Sequence, residues 1–309
     1  MFLNRVFYQV KPLVPRAFQI ALRRCVALRK RKLCGNIWPI DRAADKKPAG
    51  WSGWPDNKRF ALILTHDVDT ARGQERCRNL ATLETDLGFR SSFNFVPERY
   101  TVSAKLRHDL SNNGFEVGVH GMLHDGKLYQ SREIFLKRAT RINRYLAEWQ
   151  AVGFRSPAMH HNLDWIRDLD IKYDASTFDT DPFEPQSGGV RTIFPFFVKK
   201  KALEGGYVEL PYTLAQDFTL FVLMREKDIG IWKKKLDWIA ENGGMALLNT
   251  HPDYMRFEGK KSKIDEYSYK YYEDFLRYIR SEYKTQYWHV LPREMARFWR
   301  NTLIDESVD

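Results

Sequence analysis

The sequence predicts an α/β barrel in which parallel strands alternate with covering helices. Short apolar runs alternate with helical patterns from residue 57 onward, and seven or eight strands at this spacing favour a barrel over an open sheet. A chain of 309 residues is long enough for one such domain. Its hydrophobic fraction of 43% and charged fraction of 29% are those of an ordinary globular protein. We therefore expect a folded α/β domain with a large core.

The strands and helices of the predicted barrel can be placed in order along the chain. In the first half, strands are expected at residues 60–64, 91–96 and 116–120, and helices at 74–87, 104–112 and 131–149. In the second half, strands are expected at 154–155, 173–174, 208–210, 245–249 and 288–291, and helices at 227–242 and 266–283. Helices between successive strands can serve as crossovers between parallel strands.

A basic arm precedes the barrel. Residues 1–50 contain twelve Lys and Arg against Asp41 and Asp45, so they carry +10 of the chain's net charge of +11. We therefore divide the chain into an N-terminal arm with its linker, residues 1–56, and a main domain, residues 57–309. The main domain is nearly neutral, and no interleaved aromatic stacking surface accompanies the charges of the arm, which argues against nucleic acid as a partner.

A helix is predicted at residues 15–33 of the arm, and its two sides differ in character. Its apolar side carries Phe18, Leu22, Cys25, Val26 and Leu33, and its basic side carries Arg16, Arg23, Arg24, Lys30 and Arg31. Two interpretations remain open. In the first, the apolar side enters the headgroup boundary of an anionic membrane while the basic side faces phosphates. In the second, the apolar side packs on the barrel.

Cysteine usage and hydropathy bear on the location of the protein. Cys25, Cys34 and Cys77 form no CxxC pair and no even framework, as is typical of a reducing compartment. The sequence has no run of about 18 apolar residues, so no membrane span is predicted, and the N-terminus lacks the features of a signal peptide. We therefore expect a cytoplasmic protein, with peripheral contact at the inner membrane face as a further expectation for residues 15–33.

Polar residues follow the first core strand at the point where it ends. Apolar residues 61–64 run directly into Thr-His-Asp-Val-Asp at 65–69. Because side chains alternate along a strand, Asp67 and Asp69 point to the same side, and sites in β/α folds are built at the carboxyl ends of strands. Two carboxylates are therefore expected in one pocket. The alternative is a turn in which the aspartates cap the following helix.

The third strand ends in a pair of histidines. His120 and His124 stand in a His-x3-His pattern, which places both imidazoles on one face if the chain turns helical there. That spacing suits a single divalent ion. The alternative is a pair of surface or core histidines without a ligand.

Two further strands end in ionisable residues. The fourth strand delivers Arg155, which can clamp a carboxylate through two hydrogen bonds or form a structural ion pair. A later strand leads to His251, a candidate general acid because imidazole titrates near neutrality. A lone histidine is more often an ordinary loop residue, so this hypothesis depends on the strand ends converging. His160 and His161 also lie beside the expected cleft, and substrate contact and loop packing are both open for them.

In this order the four clusters resemble the motifs of the polysaccharide deacetylase family, also called the NodB-homology domain or carbohydrate esterase family 4. The matching motifs are the Asp-bearing segment 65–69, His-x3-His at 120–124, Arg-x-Pro at 155–157 and Leu-x-x-His at 248–251. The similarity covers residues 59–297. It implies a distorted (β/α)7-type barrel with one catalytic metal ion. The family's first motif is usually Thr-Phe-Asp-Asp, whereas this chain has a spaced Asp-x-Asp, so the roles of its two aspartates could be exchanged.

The resemblance also implies a role for each site residue. Three residues would bind the metal: Asp69, His120 and His124. Zn²⁺ is the expected ion, with Co²⁺, Ni²⁺ or Mn²⁺ as alternatives. Asp67 would be the general base, Arg155 would hold Asp67, and His251 would be the general acid.

Other segments are expected to complete the site. The family's fourth motif contributes an Asp that tunes the acid, for which Asp174 and Asp179 match only loosely. The polar and aromatic segment 178–189 is a long loop of the kind that sets substrate specificity. Residues 209–212 and 216–217 stand in a similar position, where rings could stack on a sugar.

The function implied is metal-dependent hydrolysis of the acyl group, expected to be acetyl, from an N-acylated amino sugar in a glycan or a lipid-linked precursor. One alternative is an amide hydrolase or deformylase of the same fold with another substrate. Another is a catalytically silent carbohydrate-binding protein, which would have no need of the complete set of ionisable residues. Metal content and acyl release distinguish these possibilities.

Overall fold

The computed structural model describes residues 15–199, 205–259 and 263–305, which form a curled sheet enclosed by helices. Strand β1, Phe60–Val68, lies at the centre and is buried along its whole length. It pairs in parallel with β2, Ser92–Phe95, on one edge and with β8, Met245–Thr250, on the other. Burial on both faces explains why β1 begins with a continuous apolar run rather than an alternating pattern.

The other elements follow in chain order. The remaining strands are β3 (Glu116–His120), β4 (Gly153–Arg155), β5 (Tyr173–Asp174), β6 (Phe196–Lys199), β7 (Gly206–Glu209), β9 (Met255–Arg256), β10 (Tyr267–Ser268) and β11 (Tyr287–His289). The α-helices are α1 (Arg16–Leu33), α2 (Ala71–Asp86), α3 (Ala104–Asn112), α4 (Arg132–Trp149), α5 (Leu163–Ile166), α6 (Gly230–Asn242), α7 (Lys270–Tyr283) and α8 (Pro292–Asp305). Short 3₁₀ helices lie at Arg42–Ala44, Pro55–Asn57 and Pro157–Met159, and a π-helix lies at Phe218–Met224.

The sheet has the strand order of a distorted barrel. Strands β1, β2, β3, β4, β5 and β7 lie side by side in parallel, and β11 pairs with the first residues of β1. Isolated parallel bridges from Phe178 to Tyr212 and from Leu214 to Leu248 link the β5 side of the sheet to β8. The predicted barrel is therefore confirmed. Its parallel strands bring their carboxyl ends to one rim, where sites of such folds are built.

Most predicted elements coincide with observed ones, but two helices begin later than expected. Helix α6 begins at Gly230, whose main-chain N donates to the Asp228 carboxylate at 2.8 Å, so the preceding residues form a capping turn. Helix α7 begins at Lys270 because Tyr267 and Ser268 pair with β9 instead. The antiparallel strand β6 and the π-helix were not predicted.

Alternation along β1 separates its polar residues between two faces. Asp67 faces the site, whereas His66 is fully buried on the other face, against α2. His66 Nε2 lies 2.8 Å from Glu84, and its Nδ1 lies 2.7 Å from the hydroxyl of Thr250. This buried network fastens β1 to α2 and β8 from behind the site.

Helix α1 packs on the barrel with the side opposite to the one expected. Arg24 donates through Nη2 to the carbonyl oxygen of Val222 at 2.9 Å and through Nε to that of Leu223 at 3.2 Å. These carbonyls lie in the last turns of the π-helix, where main-chain acceptors lack helical partners and attract cations. Arg24 therefore docks α1 by capping another helix.

Two other basic residues of α1 reinforce this docking. Lys30 Nζ donates to the carbonyl oxygen of Pro182 at 2.8 Å, and Arg31 forms an ion pair with Glu226. The prediction that the basic side faces outward is therefore wrong, because the barrel itself supplies the acceptors. The packing alternative is also wrong about the side, since Phe18 is exposed.

Among the residues that the structure describes, none of the helices has the length and apolar character needed to span a bilayer.

Candidate metal and catalytic site

The predicted site residues come together at the carboxyl ends of β1, β3, β4 and β8. His124 is half-buried, and the others are buried: Asp67, Asp69, His120, Arg155 and His251. Nε2 of His120 lies 3.4 Å from Oδ1 of Asp69 and 3.9 Å from Oδ2 of Asp67. The aspartates are therefore not mere helix caps, and the histidines are not isolated surface residues.

Asp69, His120 and His124 form a group of potential metal ligands. Oδ1 of Asp69 lies 3.2 Å from Nε2 of His124, and the three ligand atoms all lie within 4.8 Å of one another. Oδ1 is buried but accepts no well-formed hydrogen bond from the described residues, an unfavourable state that a cation would relieve. One carboxylate and two imidazoles are ligands that Zn²⁺ favours when a coordination position stays open. These residues therefore fit a single divalent ion.

The main chain around His120 fixes its ring. Its Nδ1 donates to the carbonyl oxygen of Arg155 at 3.0 Å, which leaves the lone pair of Nε2 available for an ion. The next residue, Gly121, has φ of 61°, and a Cβ there would lie 2.4 Å from the Pro157 ring. Glycine is therefore required at position 121, where the His-x3-His segment passes the Arg-x-Pro segment.

Asp253 holds the segment that carries the candidate ligand Asp69. One oxygen of its carboxylate accepts from the main-chain N of Asp69 at 2.9 Å, and the other accepts from the Thr70 hydroxyl. Gly73 packs against the same group, because a Cβ at that position would lie 2.2 Å from the carboxylate. Burial and the charge of Asp69 raise the pKa of Asp253 to about 6.

Asp67 is held by two carboxamides in addition to Arg155. Nδ2 of Asn94 donates to its Oδ1 at 3.0 Å, and Nδ2 of Asn249 donates to its Oδ2 at 2.8 Å. Burial opposes ionisation, but the charges of His120 and Arg155 outweigh it and keep the pKa of Asp67 below its usual value. Asp67 is therefore an ionised, firmly oriented carboxylate beside the candidate metal ligands.

Arg155 contacts Asp67 less closely than its other partners. Its Nη1 lies 3.4 Å from Oδ1 of Asp67, but 2.7 Å from the Thr65 hydroxyl and 2.5 Å from Oδ1 of Asn249. The expected two-bond clamp does not form, because the two carboxamides already occupy the oxygens of Asp67. Arg155 instead orients Asn249, which donates to Asp67.

His251 is paired with an aspartate that sequence reasoning did not assign to it. Nδ1 of His251 donates to Oδ1 of Asp217 at 2.7 Å. The other oxygen of Asp217 accepts from the main-chain N of His251 and the hydroxyl of Tyr267, both at 2.9 Å. Burial works against the imidazolium, but Asp217, aided by Asp69 and Asp67, raises the pKa of His251 to about 10. The histidine is therefore kept protonated at neutral pH.

The loosely matching candidates for this role, Asp174 and Asp179, have other partners. Asp179 forms a buried ion pair with Lys235 at 2.5 Å, and Asp174 accepts from Ser176 at 2.6 Å. Asp217 was grouped only with the substrate-side residues. Its position directly before the apolar run 218–224 was the available signal, because a charged residue at the start of a buried segment needs a specific partner.

Replacing Asp217 with asparagine is expected to lower turnover by roughly 10²–10⁴-fold. Two donors fix the carboxamide oxygen on the side of Tyr267, so the amide NH₂ faces Nδ1 of His251 and disfavours its protonation. The pKa of His251 then falls, and the alkaline limb of the pH–rate profile moves to lower pH. Steady-state rates across pH check this, and an unchanged alkaline limb would contradict the assignment of Asp217.

The two histidines left undecided by the sequence differ in their surroundings. Nδ1 of His161 lies 2.9 Å from the carbonyl oxygen of Met159, and its main-chain N donates to Gln186. His161 therefore packs the loop after β4. Nε2 of His160 is buried without a hydrogen-bond partner among the described residues, and burial lowers the pKa of this imidazole.

The barrel and the site at its rim define a protein with the polysaccharide deacetylase fold. No protein-family model and no curated protein matches the sequence. Three solved structures align with this chain along most of its length.

A Mycobacterium smegmatis protein named as a polysaccharide deacetylase aligns with a TM-score of 0.61 at 18% identity, over 82% of this chain and 95% of that one. PuuE allantoinase aligns with a TM-score of 0.60 at 16% identity, over 86% and 98% of the two chains. A Pseudomonas aeruginosa PAO1 protein, also named as a polysaccharide deacetylase, aligns with a TM-score of 0.55 at 16% identity, over 80% and 93%. At these identities the likeness establishes the fold, which is the one that the motifs imply.

Proposed function

We propose that this protein is a metal-dependent hydrolase that removes an acyl group from an N-acylated amino sugar. The observation that carries the proposal is the juxtaposition of two devices at one rim. Asp69, His120 and His124 offer a divalent-ion site with Asp67 beside it, and the His251–Asp217 pair offers a proton donor. Amide hydrolysis needs both, because water must be activated and the departing nitrogen must be protonated.

A divalent ion held by the three ligands supplies Lewis acidity, which favours deprotonation of water and polarises an amide carbonyl. Asp67 stays ionised at neutral pH and accepts the proton of the attacking water. Asn94 and Asn249 fix its two oxygens, so its orientation is set before substrate binds. Preorganised groups of this kind lower the barrier because they need not reorient during the reaction.

His251 completes the reaction at the other end of the scissile bond. The water oxygen bonds to the carbonyl carbon, and the C–N bond breaks as His251 transfers its proton to the departing nitrogen. Asp217 stabilises the imidazolium before that transfer. The products are an amine and a carboxylic acid, which is acetic acid for the expected acetyl substrate.

Support for an amino sugar as the substrate comes from the motifs and from the two neighbours named as polysaccharide deacetylases. The allantoinase neighbour favours the second candidate, an amide hydrolase of the same fold with a non-sugar substrate. Zn²⁺ stays the expected ion, with Co²⁺, Ni²⁺ and Mn²⁺ as alternatives. The cytoplasmic location inferred from the cysteines also stays a prediction.

Acyl release tests the proposal. Purified protein is incubated with N-acetylated and N-formylated amino sugars and oligosaccharides, and with allantoin, with and without chelator. We expect acetate or formate with an equal amount of amine, lost on chelation and restored by a divalent ion. Hydrolysis of allantoin alone would favour the second candidate, whereas saturable binding of the sugars without any hydrolysis would indicate a carbohydrate-binding protein.

A further inference from the structure

The outward side of α1 carries a concentrated apolar surface. Seven large hydrophobic side chains of the described residues are exposed, and only Leu136 and Ile264 of these lie elsewhere. The five on α1 are Phe18 (62% exposed), Leu22 (50%), Val26 (49%), Leu28 (41%) and Leu33 (73%). Single exposed hydrophobic residues are ordinary, but a contiguous patch marks an interaction site. The residues Phe18, Leu22, Val26 and Leu33 are called the outer stripe below.

The outer stripe cannot turn inward, because the opposite side of α1 is fixed to the barrel. Ile20 and Ala27 are buried on that side, and Arg24 is bonded to the end of the π-helix. Amphipathic helices of soluble proteins normally bury their apolar side. Here the main apolar stripe is left outside, and cations make the polar contacts to the barrel beside buried Ile20 and Ala27.

Helix α1 also lies beside the proposed active site. The guanidinium of Arg23 lies 4.6 Å from the ring centroid of Phe218, and the rings of Phe218 and Tyr254 are 4.7 Å apart. Tyr254 in turn lies 5.3 Å from the imidazole of His251. A partner bound to the outer stripe would therefore be separated from this wall of the site by one helix diameter, ~10 Å.

Charge indicates what binds the outer stripe. The first acidic residue of the chain is Asp41, and nine Lys and Arg precede it. Of these, Arg29 and Lys32 are exposed on α1. A second copy of the chain would bring two cationic segments together, which like-charge repulsion disfavours. An anionic lipid surface offers an apolar boundary and the opposite charge at once.

We propose that the outer stripe binds an anionic lipid surface, and that the enzyme thereby acts on an amino sugar whose carrier is anchored in that membrane. The surface assignment stands on the exposed stripe and the charge of the arm. The substrate assignment rests on the proposed function and on the position of α1 next to His251. The surface assignment differs from the sequence-based hypothesis, because Arg23, Arg24, Lys30 and Arg31 face the barrel rather than the phosphates.

Vesicle co-sedimentation of the full chain tests the surface. Vesicles contain equal parts of phosphatidylglycerol and phosphatidylcholine, or phosphatidylcholine alone. The variant combines Phe18→Ser, Leu22→Ser and Val26→Ser, and the matched control is Leu136→Ser, which removes an exposed leucine outside α1. We expect the triple variant to lose roughly tenfold or more of its partitioning to anionic vesicles, and the control to keep it. Binding of the wild type should weaken as salt concentration rises.

Three results would overturn the surface assignment. Equal partitioning of the triple variant and the wild type would show that the outer stripe is not the contact. A wild-type dimer that the triple variant converts to a monomer, without vesicle binding, would assign the stripe to a second copy. Binding seen only after removal of residues 1–14 would mean that this segment covers the stripe.

Activity measurements separate the two halves of the proposal. The triple variant should match the wild type on a soluble N-acetylated amino sugar, because the substituted residues lie outside the catalytic machinery. On the same sugar carried by a lipid in anionic vesicles, its rate should fall by roughly tenfold. Equal rates there would refute the anchored substrate. Vesicle binding without any hydrolysis would refute the proposed function and leave the surface assignment intact.

Discussion

Replacing His120 with alanine is expected to abolish stoichiometric metal binding and to lower turnover by at least about 10³-fold. The substitution leaves only Asp69 and His124, and two ligands from a half-open site hold a divalent ion poorly. Elemental analysis of the purified variant, together with its rate on an N-acylated amino sugar, measures both effects.

Two comparisons make this result specific to the site. His108→Ala removes an exposed histidine of α3 and should leave metal content and rate unchanged. Asp69→Asn should resemble His120→Ala, because it also removes a ligand. Full metal content in His120→Ala would show that the ion is bound by other residues.

Replacing Asp67 with asparagine should keep the metal and lower turnover by roughly 10²–10⁴-fold. The carboxamide cannot accept the proton of the attacking water, while the three ligands are untouched. Metal content, rate and urea unfolding are measured on one preparation. If Asp67→Asn loses the metal and Asp69→Asn keeps it, the two aspartates have exchanged roles.

Asp67→Asn also has a structural cost that must be separated from its chemical effect. Asn94 and Asn249 both present NH₂ groups to residue 67, and Arg155 fixes the orientation of Asn249. A carboxamide at position 67 therefore places its own NH₂ against the NH₂ of Asn94 or Asn249, and that hydrogen bond is lost. The loss lowers the free energy of unfolding by about 1–3 kcal/mol. A folded variant with full metal content and low turnover isolates the chemical role.

The convergence of residues at the strand ends could be predicted because the regular alternation of strands and helices determines it. Parallel strands bring their carboxyl ends to one rim, so Asp67, Asp69, His120 and Arg155 had to be neighbours once the strands were placed. The spacing of His120 and His124 predicted a site for one ion, whereas the choice of Asp69 as the third ligand came from the resemblance to the family motifs.

What the sequence could not supply depends on contacts between distant segments and on main-chain atoms. Asp217 lies 34 positions before His251, and several acidic residues stood at comparable distances. The docking side of α1 was missed because the acceptors of Arg24 are carbonyl oxygens of Val222 and Leu223, which no residue type reveals. Side-chain periodicity describes the helix but not the acceptors that it meets.

The position of Asp253 has a consequence for how this protein can evolve. It stands two residues after His251 and hydrogen-bonds to the main chain of Asp69 and to Thr70, so the proposed acid and a proposed metal ligand belong to one clamped unit. Gly73 leaves no room to loosen that unit by a larger side chain. A substitution that shifts one partner disturbs the other. Under the proposed function, we therefore expect substitutions that change substrate preference to be tolerated outside this unit rather than within it.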